Sequence, residues 1–451
     1  MQRHSTRKYK SEILFLMPGK KLKKETPRLF QAPKGMHDVL PAEQPWWERI
    51  ESVVKELARF YNFKKIDPPV LESADLFKKT TGEDTDVVAK EMYTLKTKGG
   101  DILALRPEFT PSVSRAYLEH SLSRLGQPQK LLQWGPVFRH DRPQLGRLRQ
   151  FTQAGFEILG GPNDSIYDAQ VILIATNLLE ELKIKNTILK INSIGCKICR
   201  PVYKKQLQDY YKNHEKELCD DCLMRLKTNP LRLLDCKNES CQKPKEKVPN
   251  FLDKLCVNCS SHLRGVLEYL DELKISYTLD NNLVRGLDYY SRTVFEILVE
   301  GPGSEVGTLP GGGRYDYLME FLGGHLTPAV GWACGVERLI AVMKAQEVKL
   351  PARTLKRVFL VHAGESAKKK ALKLMRDLRA QGIAVSEALA RDSLKAQLKF
   401  ADKEGVATAL ILGQKEIYEN NVILRDMRKG LQESISLDKI VGEIKSRWKE
   451  Q

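Results

Sequence analysis

Trp134 to Gly160 reads WGPVFRHDRPQLGRLRQFTQAGFEILG. Lys130 to Phe138 and Arg149 to Leu159 read as two strands, and a long basic loop joins them. Four arginines crowd this segment: Arg139, Arg142, Arg147 and Arg149. Residues two apart on a strand share a face, so Arg147 and Arg149 are expected to point together while the loop returns Arg139 toward them. A guanidinium fork makes paired, charge-assisted hydrogen bonds to phosphate or carboxylate oxygens, so such a cluster suits a triphosphate. Taken alone, the same arginines fit an ordinary basic surface loop better. Beyond them Gln153, Gly155 and Glu157 alternate and share one strand face, the pattern of a floor.

Working outward, Ile50, Val53, Val54, Leu57 and Phe60 recur at helical spacing between Pro41 and Phe60. Pro68 and Pro69 suit a strand end or edge. Met92 to Leu95 and Ile102 to Leu105 flank Lys98, Gly99 and Gly100 as a hairpin, and Thr110 to Leu122 reads as helix. Strands separated by loops, with helices outside any repeating pattern, predict a mixed, mainly antiparallel sheet in an α+β domain. No G-x-x-x-x-G-K-[ST] loop occurs, and Gly311, Gly312 and Gly313 do not form a dinucleotide fingerprint. ATP, if bound, is held by other means.

The pattern changes near Pro351. Val358 to Val361, Ala384 to Glu387 and Thr408 to Leu412 read as strands, alternating with helices at Ala367 to Ala380 and Leu394 to Lys403. This predicts a compact α/β domain over residues 351–451, with Lys368, Lys369 and Lys370 on a solvated or RNA-facing surface. The 451 residues allow two or three domains, and no apolar run approaches a bilayer-spanning length. A formal charge of +17 favours a polyanionic partner or a solvated basic surface. Residues 1–28 read as a basic, disordered tail; an organelle presequence and an upstream start at the wrong methionine stay open. Secretion is not expected, and the expected location is the cytoplasm.

Eight of the nine cysteines fall in four close pairs: Cys196 and Cys199, Cys219 and Cys222, Cys236 and Cys241, Cys256 and Cys259. In a chain read as non-secreted, such pairs fit metal ligands in a reducing compartment, with one or two structural zinc sites. Reduced thiols packed in a small helical insertion over about residues 196–262 are the alternative. Cys334 is expected to be a small core residue within a helix.

Several separated motifs together resemble the histidyl-tRNA synthetases, members of the class II aminoacyl-tRNA synthetases. PKGMHDVLP at Pro33 to Pro41 resembles the family's opening signature, and the region of Pro69 resembles motif 1, which builds the dimer interface in that class. FRHDRPQLGRLRQF at Phe138 to Phe151 resembles motif 2, and AVGWACGVERL at Ala329 to Leu339 resembles motif 3. LVRGLDYYSRTVFE at Leu283 to Glu296 is similar to the segment that sets the histidine enzymes apart. GGGRYDYL at Gly311 to Leu318 also fits, and the tail resembles an anticodon-binding domain. One departure is Phe109, where the R-P-E-x-T segment often carries a small residue; alternation predicts that its ring points into the core.

The resemblance implies a class II catalytic domain over residues 29–350, carrying the insertion, and an anticodon-binding domain after it. It implies activation of L-histidine by ATP, then transfer to tRNA(His), by a homodimer that uses Mg2+ with its ATP. Arg139 and Arg285 are the implied catalytic cations, Arg285 standing where other class members place a metal ion. Arg139, Phe151 and Arg338 are matched to ATP. Glu157 and Tyr290 are matched to imidazole; Glu108, Thr110 and Gln153 are matched to the α-amino end, with Tyr289 alongside. A histidine-sensing regulatory subunit of the same fold, or a tRNA-sensing module, would be the competing reading; both accord poorly with the full set of motifs.

Overall fold

The computed structural model describes residues 30–83, 85–351 and 356–449. The reading of residues 1–28 therefore lies outside the described residues. The chain separates between Leu350 and Pro351 into two compact units.

The first unit is built on an eight-stranded sheet. Its strands come from β1 (Lys64–Lys65), β5 (Gln129–Phe138), β6 (Gln150–Leu159), β7 (Thr187–Ser193), β8 (Tyr277–Leu279), β9 (Ser291–Val299), β10 (Gly311–Arg314) and β11 (Ala329–Gly335). A separate small sheet holds β2 (Leu71–Ser73), β3 (Thr94–Lys96) and β4 (Ile102–Leu105). In the large sheet the order is β1-β5-β6-β11-β10-β9-β7-β8, parallel only at the two edge pairs. The mixed, mainly antiparallel sheet is thus as the sequence predicts.

Alternation divides the two faces. Ala154, Phe156 and Ile158 of β6, Phe295 and Ile297 of β9, and Val330 and Trp332 of β11 pack into one core. That core is covered by the helices Gln44–Phe60, Ile166–Glu181, Val257–Glu272 and Val336–Ala345. The opposite positions of the same strands face the other way and carry polar groups and glycines. Between the covering helices and the sheet lies a buried ion network: Arg314 Nε donates to Asp168 Oδ2 at 3.1 Å, and Arg314 Nη1 to Asp316 at 3.1 Å. His262 Nε2 lies 3.2 Å from the same Asp168. Burial alone would raise the Asp168 carboxyl, but Arg314 and His262 outweigh it and hold it well below its usual range.

After β7 the chain leaves the sheet for the cysteine-rich segment, which holds the helices Cys199–Lys212 and Asp220–Thr228 and several short turns. It returns at the helix Val257–Glu272.

The second unit has a five-stranded sheet made of β12 (Arg357–His362), β13 (Ala384–Glu387), β14 (Thr408–Leu412), β15 (Asn421–Asp426) and β16 (Gln432–Ser436), in the order β13-β12-β14-β15-β16. The first three strands are parallel, and the last two, which the sequence reading did not identify, run antiparallel. Helices Glu365–Ala380 and Ile440–Lys449 cover one face, and Leu394–Lys403 the other.

Two local expectations are corrected. Arg147 and Arg149 precede β6, so the pair does not form one strand face; Arg147 instead bridges back to Gln144 and pairs with Asp141 at 3.1 Å. Cys334 lies on β11, because the helix begins only at Val336. It is buried in the core as expected.

Candidate active site

The polar face of the large sheet floors a cavity of about 380 Å³. Phe151, Gln153 and Glu157 reach it from β6 because they share its non-core face. Glycines make the room. A Cβ on Gly331 of β11 would fall 1.7 Å from Glu157 Oε2, and one on Gly311 of β10 would fall 2.7 Å from Arg285 Nη1.

Two carboxylates sit deep in the wall without an ion-pair partner among the described residues. Glu157 is 1% exposed and accepts from Thr110 Oγ1 at 2.7 Å, from Gln133 Nε2 at 3.0 Å and from the Tyr315 hydroxyl. Burial pushes its carboxyl up to about 7 despite these donors. Three donors leave one of a carboxylate's roughly four lone-pair sites for a further N–H. Glu108 is 3% exposed and accepts from Tyr289 OH at 2.6 Å and Thr81 Oγ1 at 2.9 Å; burial raises it too. Gln153 Oε1 accepts from the Phe109 backbone N–H at 3.3 Å. Phe109 itself is buried beneath Arg106, whose guanidinium lies 3.9 Å from the ring centroid.

The cations gather on the other side. Arg139 donates through Nε to Pro107 O at 2.9 Å, and its guanidinium stands 5.5 Å from the Phe151 ring centroid. Arg338 donates to the carbonyls of Gly146 and Thr308 at 2.7 and 2.8 Å. Neither is paired with a carboxylate among the described residues. Burial, reinforced by repulsion from Arg139 and Arg147, pulls Arg338 down to about 10. Arg285 pairs with Glu296, whose other oxygen accepts from Thr308 at 2.8 Å, and stands 5.4 Å from the Tyr290 ring centroid. Burial opposes its charge, but Tyr290 and Glu296 prevail and raise its pKa. Of the four loop arginines, only Arg139 and Arg147 line the cavity.

Every histidine- and ATP-matched residue thus reaches one cavity wall. The family description "Histidyl-tRNA synthetase" matches residues 35–339, and "Anticodon binding domain" matches residues 357–447. The chain belongs to the histidyl-tRNA synthetase family. It is 43% identical over 415 residues to the histidine–tRNA ligase of Desulforamulus reducens, covering 92% of this chain and 99% of that protein. It is 44% identical over 421 residues to the histidine–tRNA ligase of Dehalococcoides mccartyi, covering 93% and 100%. The apo histidyl-tRNA synthetase of S. aureus superposes with a TM-score of 0.78 at 34% identity, covering 92% of this chain and 100% of that one.

Within this synthetase fold the structure also brings in residues the sequence reading missed. Gln133 faces Glu157 from the neighbouring strand, Tyr315 follows the glycine run, and Thr81 comes from the helix Ala74–Thr81. Gln133 was legible in principle, since it sits on the strand paired with β6. Arg232 and Asp235 reach the wall from the cysteine-rich insertion, which no local pattern would reveal. Glu337 also lines the cavity; its Oε1 accepts from the Thr152 backbone N–H at 2.8 Å, while Oε2 is buried without a hydrogen-bond partner among the described residues.

Proposed function

We propose that the cavity activates L-histidine with ATP and then passes it to tRNA(His), as a histidine–tRNA ligase. The observation that carries this is the meeting, in one cavity, of two buried carboxylates without an ion-pair partner among the described residues, Glu108 and Glu157, with Arg139 and Arg338, which likewise lack a carboxylate partner there. Glu108 suits the α-ammonium of an amino acid, since a buried carboxylate gains most from a cation. Glu157, with its remaining acceptor site, suits an imidazole N–H, and Tyr290 suits the other side of the ring. A polar pocket of this kind can reject isosteres that a shape-only pocket would admit. Gln153 and Thr110 flank the amino end; Thr110 does so while donating to Glu157.

The histidine carboxylate attacks the α-phosphorus of ATP and pyrophosphate leaves. The nucleophile is already ionised, so no protein base is required, and rate comes from alignment and from charge stabilisation. Arg139 would bridge the α-phosphate and the substrate carboxylate, Phe151 would stack on adenine, and Arg338 would meet the γ-phosphate. Arg285 would supply fixed positive charge at the α-phosphate. Its Nε is buried without a partner, and its link to Glu296 keeps the guanidinium aimed into the cavity. ATP would be taken as its magnesium complex, the bridging cation offsetting phosphate charge. In the second step the terminal ribose hydroxyl of tRNA attacks the adenylate carbonyl and AMP leaves, its phosphate available as the base.

The second unit would read the anticodon. The exposed Leu71 and Leu95, which the register of the small sheet puts on one face, support a homodimer built there. Nine free cysteines agree with a reducing, cytoplasmic location, and no described helix is long and apolar enough to cross a membrane. We assign the eight insertion cysteines to structural zinc and to no chemical step. Histidine-dependent exchange of pyrophosphate into ATP tests the activity; exchange with another amino acid, or with none, overturns it.

A further inference from the structure

The fold joins the four cysteine pairs two by two. The outermost pairs meet, bringing Cys196, Cys199, Cys256 and Cys259 together, while Cys219, Cys222, Cys236 and Cys241 form a second group. Within each group the sulfurs lie within 4.8 Å of one another. Cys196 Sγ is 3.7 Å from Cys199 Sγ and 3.9 Å from Cys256 Sγ, and Cys219 Sγ is 3.9 Å from Cys236 Sγ. A zinc ion about 2.3 Å from four thiolates sets tetrahedral edges of about 3.8 Å. Disulfides would need about 2.05 Å. Backbone N–H groups already point at these sulfurs, as they would at thiolates. Cys256 N–H donates to Cys199 Sγ at 3.1 Å in the outer group, and Cys219 N–H to Cys241 Sγ at 3.2 Å in the inner one.

Each group also anchors arginines that grip the cavity wall, one at the outer group and two at the inner. Arg200, next to Cys199, donates to the Tyr290 carbonyl and, at 3.5 Å, to that of Asp288. Arg225 and Arg232, between the inner cysteines, donate to Asp86 Oδ2 at 3.1 and 2.6 Å. Asp86 opens the turn Val87–Glu91, and Glu91 O accepts from the His140 N–H at 2.6 Å, beside Arg139.

We propose that the insertion binds two zinc ions, each in its own tetrathiolate, and that each ion holds one segment of the cavity wall in place. The second half rests on reading the cavity as the histidine and ATP site; the first does not. Zinc measured by atomic emission in the purified full chain should give two ions per chain. Cys219→Ser with Cys222→Ser, and separately Cys196→Ser with Cys199→Ser, should each leave one. One ion or none in the wild type, or loss of both from either variant, overturns two independent sites. If the variants misfold, the wild-type stoichiometry still decides the first half, and stripping zinc from the wild type and restoring it decides the second. Loss of an ion should raise the histidine or ATP KM in pyrophosphate exchange by about tenfold, with kcat less affected. An unchanged KM refutes the coupling. Two zinc ions in a chain without histidine-dependent exchange would sink the reading of the cavity and leave the metal assignment standing.

Discussion

Glu157 is the residue where environment and chemistry are most tightly joined. Its carboxyl is raised from 4.5 to about 7 by burial, so it is protonated below that value and ionised above it. The imidazole of free histidine loses its proton near 6.5. A neutral ring N–H meeting an ionised acceptor therefore requires pH above about 7. Histidine kcat/KM should climb between pH 6 and 8, and Glu157→Gln should leave only the substrate's own titration while lowering affinity. A pH profile that is identical in the two proteins would remove Glu157 from imidazole recognition. The signs also fix a cost: a carboxyl raised on folding binds more protons in the native state, so this group's contribution to stability declines as pH rises from about 4.5 to 7. Arg285 belongs to the same scale. Removing one preorganised charge-stabilising donor costs roughly 3–4 kcal/mol, or a rate factor of about 10²–10³. Arg285→Ala should show that loss in kcat for activation.

At the scale of elements, β11 and the buried ion network make separate claims. Gly331 is the point where β11 passes Glu157, and a Cβ there would overlap its oxygen at 1.7 Å. Gly331→Ala should displace Glu157, costing about 1–3 kcal/mol of stability from overpacking and weakening histidine binding. Chemical denaturation together with a histidine titration checks both, and unchanged binding would mean that Glu157 is not the imidazole partner. Asp168 tests the packing of the helix Ile166–Glu181 against β10. Asp168→Asn leaves Arg314 buried and underpaired and should cost about 3–5 kcal/mol in urea denaturation. Because the native Asp168 carboxyl is depressed, its contribution is present above the ordinary carboxylate range and is lost as pH falls through the depressed value.

The strands flanking the arginine loop were legible because period-two alternation in Gln153, Gly155 and Glu157 survives folding as a face. Arg147 and Arg149 were misplaced because a turn at Gln144 to Arg147 delays the strand, and turn onset leaves little trace in hydrophobic pattern. Matching Ala329 to Leu339 to motif 3 as a helix places Cys334 too early, since pairing with Ala154 of β6 keeps it extended. Glycines at 331 and 335 favour that strand in retrospect, since helix interiors disfavour them.

For the whole molecule, the two units have separate cores, so their tasks should separate as well. A chain ending at Leu350 should retain histidine-dependent pyrophosphate exchange but charge tRNA(His) far more slowly. Equal charging by the shortened and full chains would deny the second unit its anticodon role. Arg232 and Asp235 show what the sequence could not reveal at this scale. They lie between cysteine pairs, fifty or more residues before Arg285, and only the folded insertion brings them to the same wall.

Amino-acid-dependent pyrophosphate exchange across all twenty amino acids, with the wild-type chain and Arg285→Ala side by side, tests the central claim most directly. Exchange with histidine alone, reduced about 10²–10³-fold in Arg285→Ala, is the result expected from a cavity whose fixed cation stabilises the α-phosphate. No exchange in well-folded protein, or full exchange in the variant, would contradict it.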